Sequence, residues 1–287
     1  RVVVKPDPKT FNYYVKMKKA GDGDGRDWDN AMDSTDFATY LPLAPDGATF
    51  YVAAGTYKPK YGIDLQISAM KSGMMYEINS NVTIIGGFPA DATGKDVPSE
   101  PKKYHTVFDG DIDGDDEITE TSDGDYLSVS VANRKDNSSY MFFSRSNKDL
   151  HVTFDGISVK SSGGAVCMDK YVKISNSEFS YNDNAVVVQY VGESLEVYNS
   201  EFLKNFSNVI YMPNASNLTM DSILFKNNQK YLVYIPSGSG VNPNHNVRLN
   251  RIYAYANGDS SAIVYSIGHD FALSNSEFKN NRGLFYI

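Results

Sequence analysis

The sequence predicts an all-β fold in which three short parallel strands make one coil and the coils stack, with a short helix capping the N-terminal end. Two observations carry this. The C-terminal half repeats one apolar pattern at starts Val152, Val172, Leu195, Leu218, Val247 and Phe271, which lie 20, 23, 23, 29 and 24 residues apart. Asparagine recurs ten residues after the start in five successive copies, as Asn182, Asn205, Asn228, Asn257 and Asn281.

Each copy opens with an apolar, any, apolar triplet: Val152/Phe154, Val172/Ile174, Leu195/Val197, Leu218/Met220, Val247/Leu249 and Phe271/Leu273. Such alternation puts one set of side chains on one face of a strand. A small or apolar residue follows at the fifth position after the start. At the seventh come Phe179, Phe202, Phe225 and Phe278, with Val159 and Ala254 in the other two copies. A third apolar segment follows near the fourteenth, as Val166, Val186, Val209 and Leu232, with Ile263 and Leu284 close to the same place. One coil cannot bury its apolar set, but stacked coils bury a continuous column. The recurrent asparagines then lie one above another at a turn, each amide donating to its neighbour and to turn carbonyls. The 29-residue spacing marks a loop of about six extra residues around Ser237–His245.

The first half is less regular. Strands are expected at Asn12–Lys16, Thr49–Ala53, Val82–Phe88 and Thr106–Phe108. Asp33–Leu43 is the one helical candidate, with Asp33 or Ser34 as cap, Phe37, Tyr40 and Leu41 on one face, and Pro42 and Pro45 ending it. Its expected role is to cover the open end of the apolar column. The chain reads as a single domain: 1–48 a cap and first strand, 49–149 irregular coils with long loops, and 150–287 regular coils.

Composition limits the partners. A net charge of −8 and a pI near 5.0 exclude a nucleic-acid-wrapping or anionic-membrane role, and leave neutral sugars or cations as easier ligands. No apolar run reaches the length of a membrane helix. Cys167, alone in Ala165-Val166-Cys167-Met168, reads as a buried structural thiol. Arg1 in place of Met points to processing, which would accommodate a removed export signal. The apolar segment Leu284–Ile287 would leave the stack open, which implies further chain or an oligomer.

Several blocks resemble the right-handed parallel β-helix, pectin-lyase-like proteins of bacterial surfaces. Gly21-Asp22-Gly23-Asp24-Gly25 with Trp28, Asn30 and Ala31 looks like their Gly-rich opening; Thr49–Pro59, Asn81–Phe88 and Thr106–Asp116 look like their first three coils. The resemblance implies a right-handed coil, a secreted or surface location, and a polysaccharide partner acted on by a glycoside hydrolase or polysaccharide lyase. The alternative is a non-catalytic surface adhesin or structural repeat module.

The densest acidic cluster, Asp109, Asp111, Asp113, Asp115 and Asp116, followed by Glu117, offers alternating oxygens of the kind Ca²⁺ takes. It lacks the glycine and flanking helices of the helix-loop-helix calcium motif. Asp22, Asp24, Asp27 and Asp29 form a second, sparser group. A glycosidase needs two carboxylates across the scissile bond; Asp155, Asp169 and Asp183 are the catalytic candidates, among further acids that include Glu193, Glu196 and Asp221. Glu178, Glu201 and Glu277 share one register and read as an outward, solvated stripe. Asn182-Asp183 resembles the Asn-x-Asp start of a polygalacturonase-like pattern only faintly: the spacing is wrong, and no adjacent Asp pair, Gly-His-Gly or Arg-x-Lys follows. A lyase needs a base, for which Lys160, Lys170 and Lys173 are available. His105, His151, His245 and His269 have no metal-ligand spacing. Tyrosines spread through the coils provide surface on which sugars stack.

Overall fold

The computed structural model describes residues 11–60, 73–94, 96–144, 149–189, 192–213, 217–236, 246–258, 263–267, 270–283 and 285–287. The loop expected around Ser237–His245, together with His269, Tyr190 and Leu284, lies outside them.

The chain winds into stacked coils of parallel strands. First strands run Ala48–Ala53, Val82–Phe88, His151–Asp155 and Lys170–Ser175; three longer strands, Gly192–Leu203, Asn217–Lys226 and Asn246–Tyr255, join the first and second segments of one coil; Asp270–Ser274 begins the last. Third strands form a sheet of eight, so eight coils are present among the described residues. Asn12–Val15 adds one more strand beyond the first coil, in register with Thr49–Val52.

The register follows the sequence repeat. Val152 pairs with Val172, Val172 with Leu195, Leu195 with Leu218, Leu218 with Val247 and Val247 with Phe271. Phe179, Phe202 and Phe225 stack inside the coil with centroids 5.0 and 5.3 Å apart. The third strands differ from expectation at one place: Val166 pairs with Val187, not Val186. Both Val186 and Val187 are buried, as are Val209/Ile210 and Leu232/Val233. A doublet of apolar residues offers two registers, and the length of the preceding turn chooses between them.

Two residues per coil turn the chain. At the fourth position after the start, Gly156, Asn176, Asn199, Ser222, Arg251 and Asn275 all have φ between 46° and 66°. At the ninth, Ser161, Tyr181, Lys204, Asn227, Ala256 and Asn280 have φ between 51° and 57°. This left-handed conformation costs most residues about 1–2 kcal/mol, and the asparagine one position later offsets the second bend. Each Asn Oδ1 accepts both the backbone N–H and the side-chain Nδ2 of the preceding rung, and its own Nδ2 donates to a strand carbonyl below. For Asn205 these are Asn182 N at 3.1 Å, Asn182 Nδ2 at 3.0 Å and Phe179 O at 3.0 Å. The same set repeats at Asn228, Asn257 and Asn281. Ser162 occupies the equivalent place one coil earlier and donates to Asn182 Oδ1.

At the N-terminal end a helix spans Ser34–Tyr40 and tightens into a 3-10 turn at Leu41–Leu43. Asp33 Oδ1 caps it by accepting from Thr35 N at 2.8 Å and Asp36 N at 2.9 Å. Phe37 and Leu41 are fully buried, and Phe37 lies 5.3 Å from Phe50 and 5.4 Å from Tyr76, so the helix closes the column. Trp28 is buried between Tyr14 and Phe88 in a smaller cluster outside the coil. At the far end Leu273, Phe285, Tyr286 and Ile287 are exposed.

One element was not anticipated. Glu117–Asp123 and Tyr126–Ala132 form an antiparallel hairpin closed by Gly124 and Asp125. It leaves the second coil and lies along the ninth-position corner of the later ones. Tyr181 Oη and Lys204 Nζ both donate to Glu120 Oε1, at 2.7 and 2.6 Å; Gln229 Nε2 donates to Val129 O at 3.0 Å, and Asn280 Nδ2 to Asp125 Oδ2 at 2.6 Å. The Arg282 guanidinium sits 3.9 Å over the Tyr126 ring.

Candidate functional site

The acidic loop forms the base of that hairpin. Asp111 is buried, and its carboxylate accepts from Gly114 N, Asp115 N and Asp116 N, so it holds the turn. Ligand oxygens of Asp111, Asp115 and Asp136 lie within 4.8 Å of one another. Asp136, from the far side of the hairpin, was not among the expected ligands because sequence distance hides it. Desolvation first, then the charges of Asp136, Asp111 and Asp113, raise the Asp115 carboxyl above its ordinary range. The other expected ligands are used differently. Asp109 is buried against Lys160 Nζ at 3.2 Å, Asp113 N–H donates to Asp136 Oδ2, and Asp116 accepts from Asn137 Nδ2 at 3.0 Å.

The sparser acidic group makes turns. Arg26 bridges Asp22 and Asp24, Asp27 caps the Trp28–Asn30 turn, and Asp29 accepts from Gly94 N.

The candidate catalytic carboxylates are placed at three different corners of the coil. Asp155 ends a first strand, where Ser175 Oγ and Asn176 Nδ2 donate to it; Asp183 sits after a second strand near Arg134 at 3.6 Å; Asp169 follows a third strand. They do not converge on one cleft. Lys170 pairs with Asp149 and Glu193, and Lys173 lies 5.6 Å over the Tyr198 ring, so the three lysines serve three separate surroundings.

Convergence occurs instead along the first bend. A groove of about 550 Å³ runs across the third to seventh coils, with Asn176, Asn199 and Ser222 on the bend, Glu178 and Glu201 on the second strands, and Tyr253 near its end. Pro101, Lys102 and His105, from the loop that follows Phe88, form a wall. The left-handed bend opens this groove, because it turns the fourth-position side chains outward beside those of the sixth. Glu178 and Glu201 are register partners on neighbouring strands. The sequence showed them as a stripe but not the wall that makes the stripe a groove.

The tyrosines mostly occupy one another. Tyr211, Tyr234, Tyr265 and Tyr286 stack at 5.7, 5.1 and 5.0 Å along the third sheet, and Tyr171 stacks on His151 at 4.2 Å. Tyr253, 42% exposed, is the one that lines the groove. Cys167 is a free, buried thiol on a third strand, and burial pushes it up to about 12. No helix among the described residues is long and apolar enough to cross a membrane.

The family model for the right handed beta helix region matches residues 121–278. The chain belongs to the right-handed β-helix family. This β-helix protein is also similar to a solved structure of pectate lyase Pel9A, with a TM-score of 0.48 and 13% identity over 95% of this chain and 79% of that one. No curated protein matches the sequence.

Proposed function

We propose that this β-helix protein binds an extended, neutral polysaccharide outside the cell, secreted or displayed on a bacterial surface, along the groove at the first bend. The groove carries the reading. It crosses five coils, a span of about 19 Å at the sheet spacing, and offers Asn and Ser groups for sugar hydroxyls with one exposed ring for stacking. Its two glutamates, against the one lysine of the wall, Lys102, and the chain's net charge of −8 disfavour a polyanionic glycan. The test is affinity electrophoresis of the intact protein through gels containing β-glucan, xylan, mannan, galactan or polygalacturonate. Retardation by a neutral polymer, lost in Tyr253→Ala, is expected; retardation by polygalacturonate alone would refute the reading.

The acidic base of the hairpin belongs to the same proposal as a Ca²⁺ site. Asp111, Asp115 and Asp136 supply three clustered oxygens, and a divalent cation would offset the desolvation and the neighbouring negative charges that together raise Asp115. Its role is to fasten the hairpin to the stack.

A further inference from the structure

We infer that the groove cleaves the glycan it holds, with Glu178 and Glu201 as the catalytic pair of a retaining glycoside hydrolase. This rests on the groove being the glycan site.

Glu178 and Glu201 stand side by side on neighbouring parallel strands, which sets their backbones about 4.8 Å apart. That spacing lets their carboxyl groups approach the separation of roughly 5–5.5 Å that a retaining mechanism uses, too close for the intervening water of an inverting one. Like charges side by side on a sheet are unfavourable, and elsewhere on the coils the protein compensates its carboxylates. Asp221 is held by Arg251 at 2.6 and 2.7 Å, Glu277 by Tyr255 Oη at 3.0 Å, Glu196 by Tyr198 Oη at 3.2 Å and Asp270 by Arg248 at 3.1 Å. Among the described residues Glu201 has no such partner, and Glu178 has only Ser180 Oγ at 3.3 Å. A carboxylate pair on the floor of an elongated groove, one member held only by Ser180 and the other without a side-chain partner among the described residues, is where a substrate's reacting atoms would lie.

Ser180 Oγ donates to Glu178 and fixes the position of that carboxyl, which assigns Glu178 as nucleophile and Glu201 as acid. A Glu178 oxygen bonds to the anomeric carbon as the glycosidic C–O bond breaks, and the departing oxygen takes the proton of Glu201. Glu201 then removes a proton from a water whose oxygen bonds to the same carbon, and the ester to Glu178 breaks. One water is consumed and the anomeric configuration is retained. A β-elimination is disfavoured, since it needs a uronic acid in a groove whose floor is negative.

The test incubates the intact protein with the neutral polymers named above and follows reducing ends and, by proton NMR, the first-formed anomer. Cleavage with retention is expected, falling about 10³-fold in Glu178→Gln and in Glu201→Gln, each still binding the polymer. Glu277→Gln, in the same row outside the groove, should cleave normally. Binding without cleavage would overturn the catalytic inference and leave the binding reading standing. So would inversion, an unsaturated product, or full activity in both groove variants. Failure of every neutral polymer to bind would overturn both.

Discussion

Replacing Asn205 by alanine isolates what the ladder contributes. Asn205 is fully buried, and its side chain accepts from Asn182 N and Nδ2 and donates to Phe179 O and Asn228 Oδ1. Asn228 Oδ1 keeps the Asn205 backbone N–H at 3.1 Å, so its loss is partial. Asn182 N–H loses its acceptor, and Phe179 C=O loses a donor, where water does not reach. At about 1–3 kcal/mol for each buried group left short of a partner, the expected cost is about 2–5 kcal/mol. Asn281 is only partly buried, so Asn281→Ala should cost about 1 kcal/mol, because water replaces what is removed. Asn205→Asp should exceed the alanine cost, since a carboxylate restores the acceptor but turns a negative oxygen toward Phe179 O and Asn228 Oδ1. Urea unfolding followed by circular dichroism measures the series, with midpoints compared at constant m. Equal costs for Asn205→Ala and Asn281→Ala, or a cost below about 1 kcal/mol for Asn205→Ala, would refute the idea that buried ladder bonds hold the bend.

Phe202→Ala removes the middle ring of the internal stack and should cost about 3–5 kcal/mol by the same unfolding assay. For Asp115 the native carboxyl is raised, so its contribution to stability is present in acid and is lost as pH rises from 3.8 through the raised value; Ca²⁺ should therefore raise the melting temperature at pH 7 but not near pH 3.8, and Asp136→Asn should remove the increment. Superimposable melting curves with Ca²⁺ and with chelator at pH 7 would exclude the site. For Glu120 the shift is opposite: hydrogen bonds from Lys204 and then Tyr181 lower its carboxyl, so the hairpin latch should hold above pH 4.5 and weaken as pH falls below it. Lys204→Met should cost no more than about 1 kcal/mol, because the pair is partly exposed, yet should speed proteolytic cleavage within 117–132.

The stacked coils were legible because parallel stacking converts equal offsets in sequence into neighbours in space. The triplets beginning at Val152, the aromatic positions through Phe225 and the Asn182–Asn281 ladder each form one column, so one chain alone displays both period and register. Asp33, followed by an apolar face and two prolines, carried the capping helix for a local reason. The hairpin left a trace in Asp123-Gly124 flanked by alternating segments, but its docking depends on Glu120 meeting Lys204 and on Tyr126 meeting Arg282, contacts with no fixed offset. The groove is similar. Glu178 and Glu201 are visible as a register, and the bend at Asn176 and Asn199 recurs with it, whereas the wall from Pro101 to His105 comes from a loop whose path the repeat does not specify. Periodic burial is an average property that the sequence determines by itself; convergence of particular side chains depends on where non-repeating loops fold back, and that only tertiary packing decides.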